Sequence, residues 1–125
     1  MTWRAKILIV DDDELSLEVM QAKLAERYDI VATNVPGNVV KLARETEPDL
    51  ILCDFDMPDM DGAEVSEALF ADSELRLIPL LFLTSLATTG EMNRMRKQIG
   101  GRPAISKDSP LERVVSRIDE LLKID

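Results

Sequence analysis

Residues 49–62 read DLILCDFDMPDMDG. Leu50, Ile51, Leu52 and Cys53 make an unbroken apolar run, and Asp54, Asp56, Asp59 and Asp61 crowd in behind it. An apolar run that does not alternate with polar residues is the pattern of a strand buried on both faces, the habit of parallel sheets covered by helices. Carboxylates set directly after such a strand repel one another, so they either fan out into water or meet a cation.

The same signature recurs along the chain. KILIV (6–10) and IPLLFL (78–83), and less sharply DIVAT (29–33) and PAIS (103–106), are further strand candidates beside DLILC (49–53). The segments between them carry helical spacing. From Glu14 to about Arg27, Leu17, Met20 and Leu24 recur on one face, with Leu15 and Val19 widening the stripe. Asp13 reads as the N-cap or first-turn charge of that helix. GNVVKLARETE (37–47) and AEVSEALFADS (63–73) are shorter amphipathic pieces, and EMNRMRKQIGG (91–101) stops on Gly100 and Gly101. In the last segment Ser109 is the expected N-cap and Pro110 the first helical residue. Glu112 completes a capping box around the apolar set Leu111, Val114, Val115, Ile118, Leu121 and Leu122. Strand and helix alternating in this way predict an open, doubly wound α/β sheet of five parallel strands with helices on both faces.

The chain has 125 residues, the size of one domain, so residues 1–125 are expected to share a single core. A hydrophobic share of 46% against a charged share of 31% suits a folded globular protein. The formal net charge of −9, from 24 acidic and 15 basic residues, argues against direct nucleic-acid binding and for a metal ion or a cationic partner. No apolar run approaches the roughly 20 residues of a membrane span. The opening MTWRAK lacks the apolar core of a secretory signal, so a cytoplasmic location is expected. Cys53 is the lone cysteine and there is no histidine, which removes the commonest general base and metal ligand. Cys53 reads as a small core residue rather than a reactive thiol. Any chemistry has to run on carboxylates, hydroxyls and amines.

In a doubly wound sheet, ligands sit outside the carboxyl ends of the strands at a topological switch point. Asp11, Asp12 and Asp13 follow the first strand, Asp54 the third, Thr84 and Ser85 the fourth, and Lys107 the fifth. If the first and third strands are neighbours, the first acidic cluster converges on Asp54. Hard oxygen ligands without His or Cys favour Mg²⁺ or Mn²⁺. A carboxylate beside such an ion, flanked by a hydroxyl and an ammonium, is equipped to take up a phosphoryl group. Asp54 would be the nucleophile, the metal would neutralise charge on the transferring oxygens, and Thr84 and Lys107 would bind the others.

KILIVDDD, DLILCDFDMPDMDG, LLFLTS and ISK together resemble the receiver domains of two-component response regulators, over essentially the whole chain. The resemblance implies a flavodoxin-like sheet of strand order 2-1-3-4-5. It implies that Asp54 is the phosphoacceptor, that Asp12 and Asp54 bind Mg²⁺ directly with the backbone carbonyl of Asp56, and that Asp11 acts through water. Thr84 and Lys107 would contact the phosphoryl group. The implied partner is a histidine kinase or histidine phosphotransfer protein, with an effector domain or a homodimer as a further possibility. MPDMDG matches the loop after the acceptor, where Asp59 and Asp61 shape the loop and Gly62 is expected to supply a backbone conformation that other residues resist.

Two positions depart from the family pattern. Lys107 is followed by Asp108 where the family usually has a proline joined by a cis bond. A non-proline cis bond costs about 2.5–4 kcal/mol, so a trans bond and a rearranged loop are expected. Ala104 stands where the family usually has an aromatic residue that swings inward on activation, so an atypical output surface is expected. The face carrying Met92, Met95 and Ile99 is where many receivers dimerise. Two competing readings remain. One is a haloacid-dehalogenase-like phosphatase, whose Asp-x-Asp pair DFDMP imitates although Pro58 breaks its pattern. The other is a degenerate receiver that works unphosphorylated.

Overall fold

The five apolar runs all become strands. In the computed structural model, which describes residues 3–58, 60–85, 90, 91, 94 and 102–123, these are β1 (Lys6–Val10), β2 (Asp29–Thr33), β3 (Leu50–Asp54), β4 (Leu80–Thr84) and β5 (Ala104–Ser106). They form one sheet in the order β2-β1-β3-β4-β5, parallel throughout. The helices between and after them are α1 (Glu14–Leu24), α2 (Val39–Thr46), α3 (Gly62–Phe70) and the C-terminal α4 (Leu111–Leu122). Short 3₁₀ turns at Pro36–Asn38 and Leu75–Leu77 precede α2 and β4; neither is visible in the apolar periodicity.

Why the strands read as continuous apolar runs is plain from the two cores they separate. Side chains alternate across a strand. Leu8, Val10, Ile51, Cys53, Leu80 and Phe82 meet Val39 and Ala43 of α2 and Val65 and Leu69 of α3 on one face. Ile7, Ile9, Leu50, Leu52, Leu81 and Leu83 meet Leu17 and Leu24 of α1 and Val114 and Ile118 of α4 on the other. Every residue of β3 and β4 is buried.

Several boundaries fall elsewhere than the sequence implied. β3 and β4 each take in one more residue at the carboxyl end, so Asp54 and Thr84 are the last residues of their strands. Leu15 and Val19 do not widen the buried stripe of α1; they are 68% and 44% exposed. The N-cap of α4 is Pro110, not Ser109. Residues 107–109 form a turn in which the Ser109 N–H donates to Ser106 O at 3.1 Å, and Pro110 is extended with ψ 154 and offers no capping side chain. The expected capping box therefore does not form. Gly62 also has a different reason for being glycine. Its backbone lies outside the left-handed region, but a Cβ there would overlap the Phe55 ring and stand 2.7 Å from Phe82 Cε1. Phe55 and Phe82 meet edge to face with centroids 5.6 Å apart, and that contact fills the space a side chain would need.

Most of the predicted 91–101 helix, including Met92, Met95 and Ile99, lies outside the described residues, as does Asp59. No helix among the described residues is long and apolar enough to cross a membrane.

Candidate functional site

The strand order places β1 between β2 and β3, with Val10 registered against Cys53 and Asp54 against Leu83. The chain leaves β1 at Asp11 and reaches the end of β3 at Asp54, side by side. One carboxylate oxygen from each of Asp11, Asp12 and Asp54 lies within 4.8 Å of the others. Asp54 is 2% exposed and Asp11 6% exposed, so two of the three are nearly cut off from solvent.

The Asp11 carboxyl responds to this crowding: burial, the largest influence, pushes it up to about 6 from 3.8, with the Asp54 charge and a hydrogen bond to Asp54 adding to the rise. Its bond from the Asp13 N–H, at 3.0 Å, and the Lys107 charge oppose that rise without cancelling it. Asp13 is the N-cap of α1 in backbone conformation, with no side-chain cap hydrogen bond.

On the opposite side the Lys107 Nζ reaches Asp54 Oδ1 at 2.9 Å. Burial, the largest single influence on that ammonium, works to deprotonate it. The hydrogen bond to Asp54 and the charges of Asp54, Asp11 and Asp56 outweigh burial and raise its pKa. The loop after β5 holds Lys107 in place: its N–H donates to Thr84 O at 2.9 Å. The Lys107–Asp108 bond is trans, as the absence of proline predicts. The Asp108 N–H, which a proline would lack, donates to Ser106 Oγ at 3.1 Å.

Thr84 is fully buried at the end of β4, registered against Ser106 and one residue beyond the partner of Asp54. Asp56 donates its N–H to Asp54 Oδ1 at 3.1 Å, which folds the first residues after β3 back over the Asp54 carboxylate. The Asp56 side chain is not simply solvated: Oδ2 accepts from Ser85 N at 3.1 Å and from Ser85 Oγ at 2.9 Å. Residue spacing alone did not reveal this contact, although Ser85 stood among the strand-end groups. Asp61 caps α3 by accepting from Glu64 N at 3.0 Å, a structural role at the helix start. Cys53 is fully buried; burial first, then the Asp54 and Asp11 charges, push its thiol far above the ordinary range, which suits an inert core residue. Ala104 is half-buried and packs against the α2/α3 core beside Phe82.

The three clustered carboxylates are hard oxygen donors without a soft ligand, and their mutual repulsion is what a small divalent cation relieves; the donor set fits Mg²⁺ or Mn²⁺. A family model for the response regulator receiver domain matches residues 7–119.

The chain belongs to the response regulator receiver domain family. It is 36% identical over 117 residues to the polar-differentiation response regulator DivK of Brucella ovis, across 93% of this chain and 94% of that protein. Among solved structures it is similar to the signal receiver domain of a signal transduction histidine kinase from Syntrophus aciditrophicus. That match has a TM-score of 0.83 and 30% identity, covering 95% of this chain and 90% of the other. The chemotaxis protein CheY4 of Vibrio cholerae shares the fold with a TM-score of 0.84 at 23% identity, over 95% of this chain and 99% of its own. As a receiver domain the chain is a component of two-component signalling, in a family of regulators rather than catalytic enzymes. The phosphatase alternative falls with that assignment. Aspartyl phosphorylation and Mg²⁺ binding at an acidic pocket are general to receiver domains, and the cluster Asp11, Asp12 and Asp54 is consistent with both.

Proposed function

We propose that this receiver domain accepts a phosphoryl group on Asp54 in a two-component phosphorelay, with residues 1–125 acting as one cytoplasmic signalling unit. The observation that carries the reading is the position of Asp54: a buried carboxylate held by Lys107 at 2.9 Å on one side and faced by Asp11 and Asp12 on the other. A carboxylate so placed is a confined nucleophile with an ammonium beside it to receive charge as it develops on the phosphoryl oxygens.

Asp12 and Asp54, with the backbone carbonyl of Asp56, would hold Mg²⁺ or Mn²⁺ directly, and Asp11 would act through water. The bound ion supplies positive charge at the transferring oxygens and offsets the repulsion among the three carboxylates. Asp54 attacks phosphorus, the bond from phosphorus to the donor breaks, and the donor leaves with the bonding electron pair. Lys107 and Thr84 hold phosphoryl oxygens in the product.

With no histidine in the chain, the phosphohistidine donor is another protein, a histidine kinase or phosphotransfer protein. Leu15 and Val19, exposed on α1, line the same cleft as Asp11 and Lys107 and give such a donor an apolar foothold beside the acceptor. With Ala104 in place of an aromatic, activation is read through backbone movement after Thr84 and around Lys107, and the output surface is atypical for the family. Large amide shifts centred on 91–101, of the usual family kind, would count against that output.

Titrating wild type and Asp54→Asn with beryllium fluoride, with and without Mg²⁺, tests the reading. Saturable, Mg²⁺-dependent binding to wild type and none to Asp54→Asn is the expected result. Failure of wild type to bind would favour a receiver that works unphosphorylated.

A further inference from the structure

The end of β4 presents a pair of donors, the N–H and the hydroxyl of Ser85, immediately after the buried Thr84. Both donors are occupied by one oxygen, Asp56 Oδ2, at 3.1 and 2.9 Å. A carboxylate seated on two converging donors marks a corner whose chemistry suits an oxyanion. The same residue donates its own N–H to Asp54 Oδ1, so this occupant is tethered directly beside the nucleophile. We propose that the Asp56 carboxylate is a built-in competitor for the incoming phosphoryl group, occupying the Ser85 donors in the resting state and giving them up when Asp54 is phosphorylated.

The inference rests on the phosphoacceptor reading of Asp54 and adds a regulatory role for a side chain to which that reading gives only a backbone role. Its logic is one of charge and of limited donors. A phosphoryl group on Asp54 brings anionic oxygens next to the Asp56 carboxylate, and like charges at short range disfavour each other. The Ser85 N–H has one hydrogen to give. Either the carboxylate or a phosphoryl oxygen takes it, and the more highly charged phosphoryl group, itself held by Lys107, displaces the carboxylate. Loading Asp54 therefore breaks two hydrogen bonds that lock the segment after β3 to the segment after β4, and the freed Ser85 region moves with the phosphoryl group. In a chain with Ala104 at the usual aromatic position, this exchange of anions is a second way to couple the acceptor to the end of β4.

Three proteins test it: wild type, Asp56→Asn, which keeps the shape without the charge, and Asp56→Ala, which removes the competitor. Beryllium fluoride with Mg²⁺ is the phosphoryl probe, and the Ser85 amide is followed by ¹⁵N–¹H spectroscopy. Asp56→Ala is expected to bind the probe about threefold to tenfold more tightly than wild type, the scale of one hydrogen bond at a solvent-accessible site, with Asp56→Asn between them. Without the probe, the Ser85 amide resonance of Asp56→Ala is displaced from that of wild type; with the probe bound, the resonances converge because the wild-type carboxylate has left the site that is already vacant in Asp56→Ala. Equal or weaker binding by Asp56→Ala, or a Ser85 difference that persists in the bound state, overturns the competitor role. Absence of saturable binding by wild type overturns the phosphoacceptor reading and takes this inference with it, so the two failures are distinct.

Discussion

Across the mouth of the sheet, the ends of β1 and β3 carry three carboxylates, whereas the ends of β4 and β5 carry Thr84, Ser85, Ser106 and Lys107. On the second side two donors already have internal partners, Lys107 on Asp54 and Ser85 on Asp56, while Ser106 Oγ accepts from the Asp108 N–H. On the first side the Asp11 carboxyl is pushed up to about 6, its strain relieved only in part by the Asp13 N–H and Lys107. The difference teaches how one pocket can suit two ligands of opposite charge. Under the proposed function, the acidic side would take a cation that relieves repulsion, and the donor side an anion that replaces carboxylates already bound there.

Substitutions on the two sides should therefore move stability in opposite directions, and a purely steric change beneath both should ignore the distinction. Gly62→Ala is that steric control. The new methyl group overlaps Phe55 and crowds Phe82, so a loss of about 2–3 kcal/mol is expected in chemical denaturation, the same in Mg²⁺ and in chelator. Lys107→Met removes the cation beside a buried carboxylate. A loss of about 2 kcal/mol in chelator is expected, reduced from the buried-pair range because the lysine is partly exposed, and smaller in Mg²⁺. A loss that is the same with and without the metal would break the comparison.

Asp11→Asn should do the reverse and stabilise the metal-free protein by about 1 kcal/mol after allowance for screening, while shrinking the rise in Tm that Mg²⁺ produces. The pH dependence has a definite sign. Below about 3.8 the Asp11 carboxyl is protonated folded and unfolded, and it contributes nothing. Between 3.8 and about 6 the unfolded chain has released the proton and the folded one has not, so stability falls as pH rises, and the full penalty stands above 6. Wild type minus Asp11→Asn, melted in chelator across that window, should show this loss; a difference that is flat with pH contradicts it. The smallest expected effect is that of Asp108→Pro, which removes the donor to Ser106 Oγ and should cost about 0.5–1 kcal/mol.

Much of this was legible in the sequence because it depends on local pattern. Unbroken apolar runs gave five parallel strands, and the residues at their ends include Asp11, Asp12, Asp54 and Lys107, which the fold brings together, with Thr84 buried at the end of the neighbouring strand. What escaped depends on contacts between residues distant in the chain. Gly62 is small because Phe82 meets Phe55 above it, a matter of tertiary packing that no turn preference encodes. Leu15 and Val19 fit a helical stripe, yet α1 lies on the sheet along its Leu17–Leu24 edge and leaves them in solvent. Ser109 had the right spacing for a cap, but the turn after Lys107 takes it in, and the helix starts only at Leu111, after Pro110. The Asp56–Ser85 contact links two loops whose meeting follows only from the pairing of β3 with β4.

The central claim is that Asp54 is the residue that carries the phosphoryl group. Incubating wild type and Asp54→Asn with a small acyl phosphate and Mg²⁺, then measuring intact mass and mapping the modified peptide, tests it most directly. One phosphoryl group per chain on Asp54, absent from Asp54→Asn and from samples held in chelator, is the predicted result; an unmodified wild type, or equal labelling of Asp54→Asn, would contradict it.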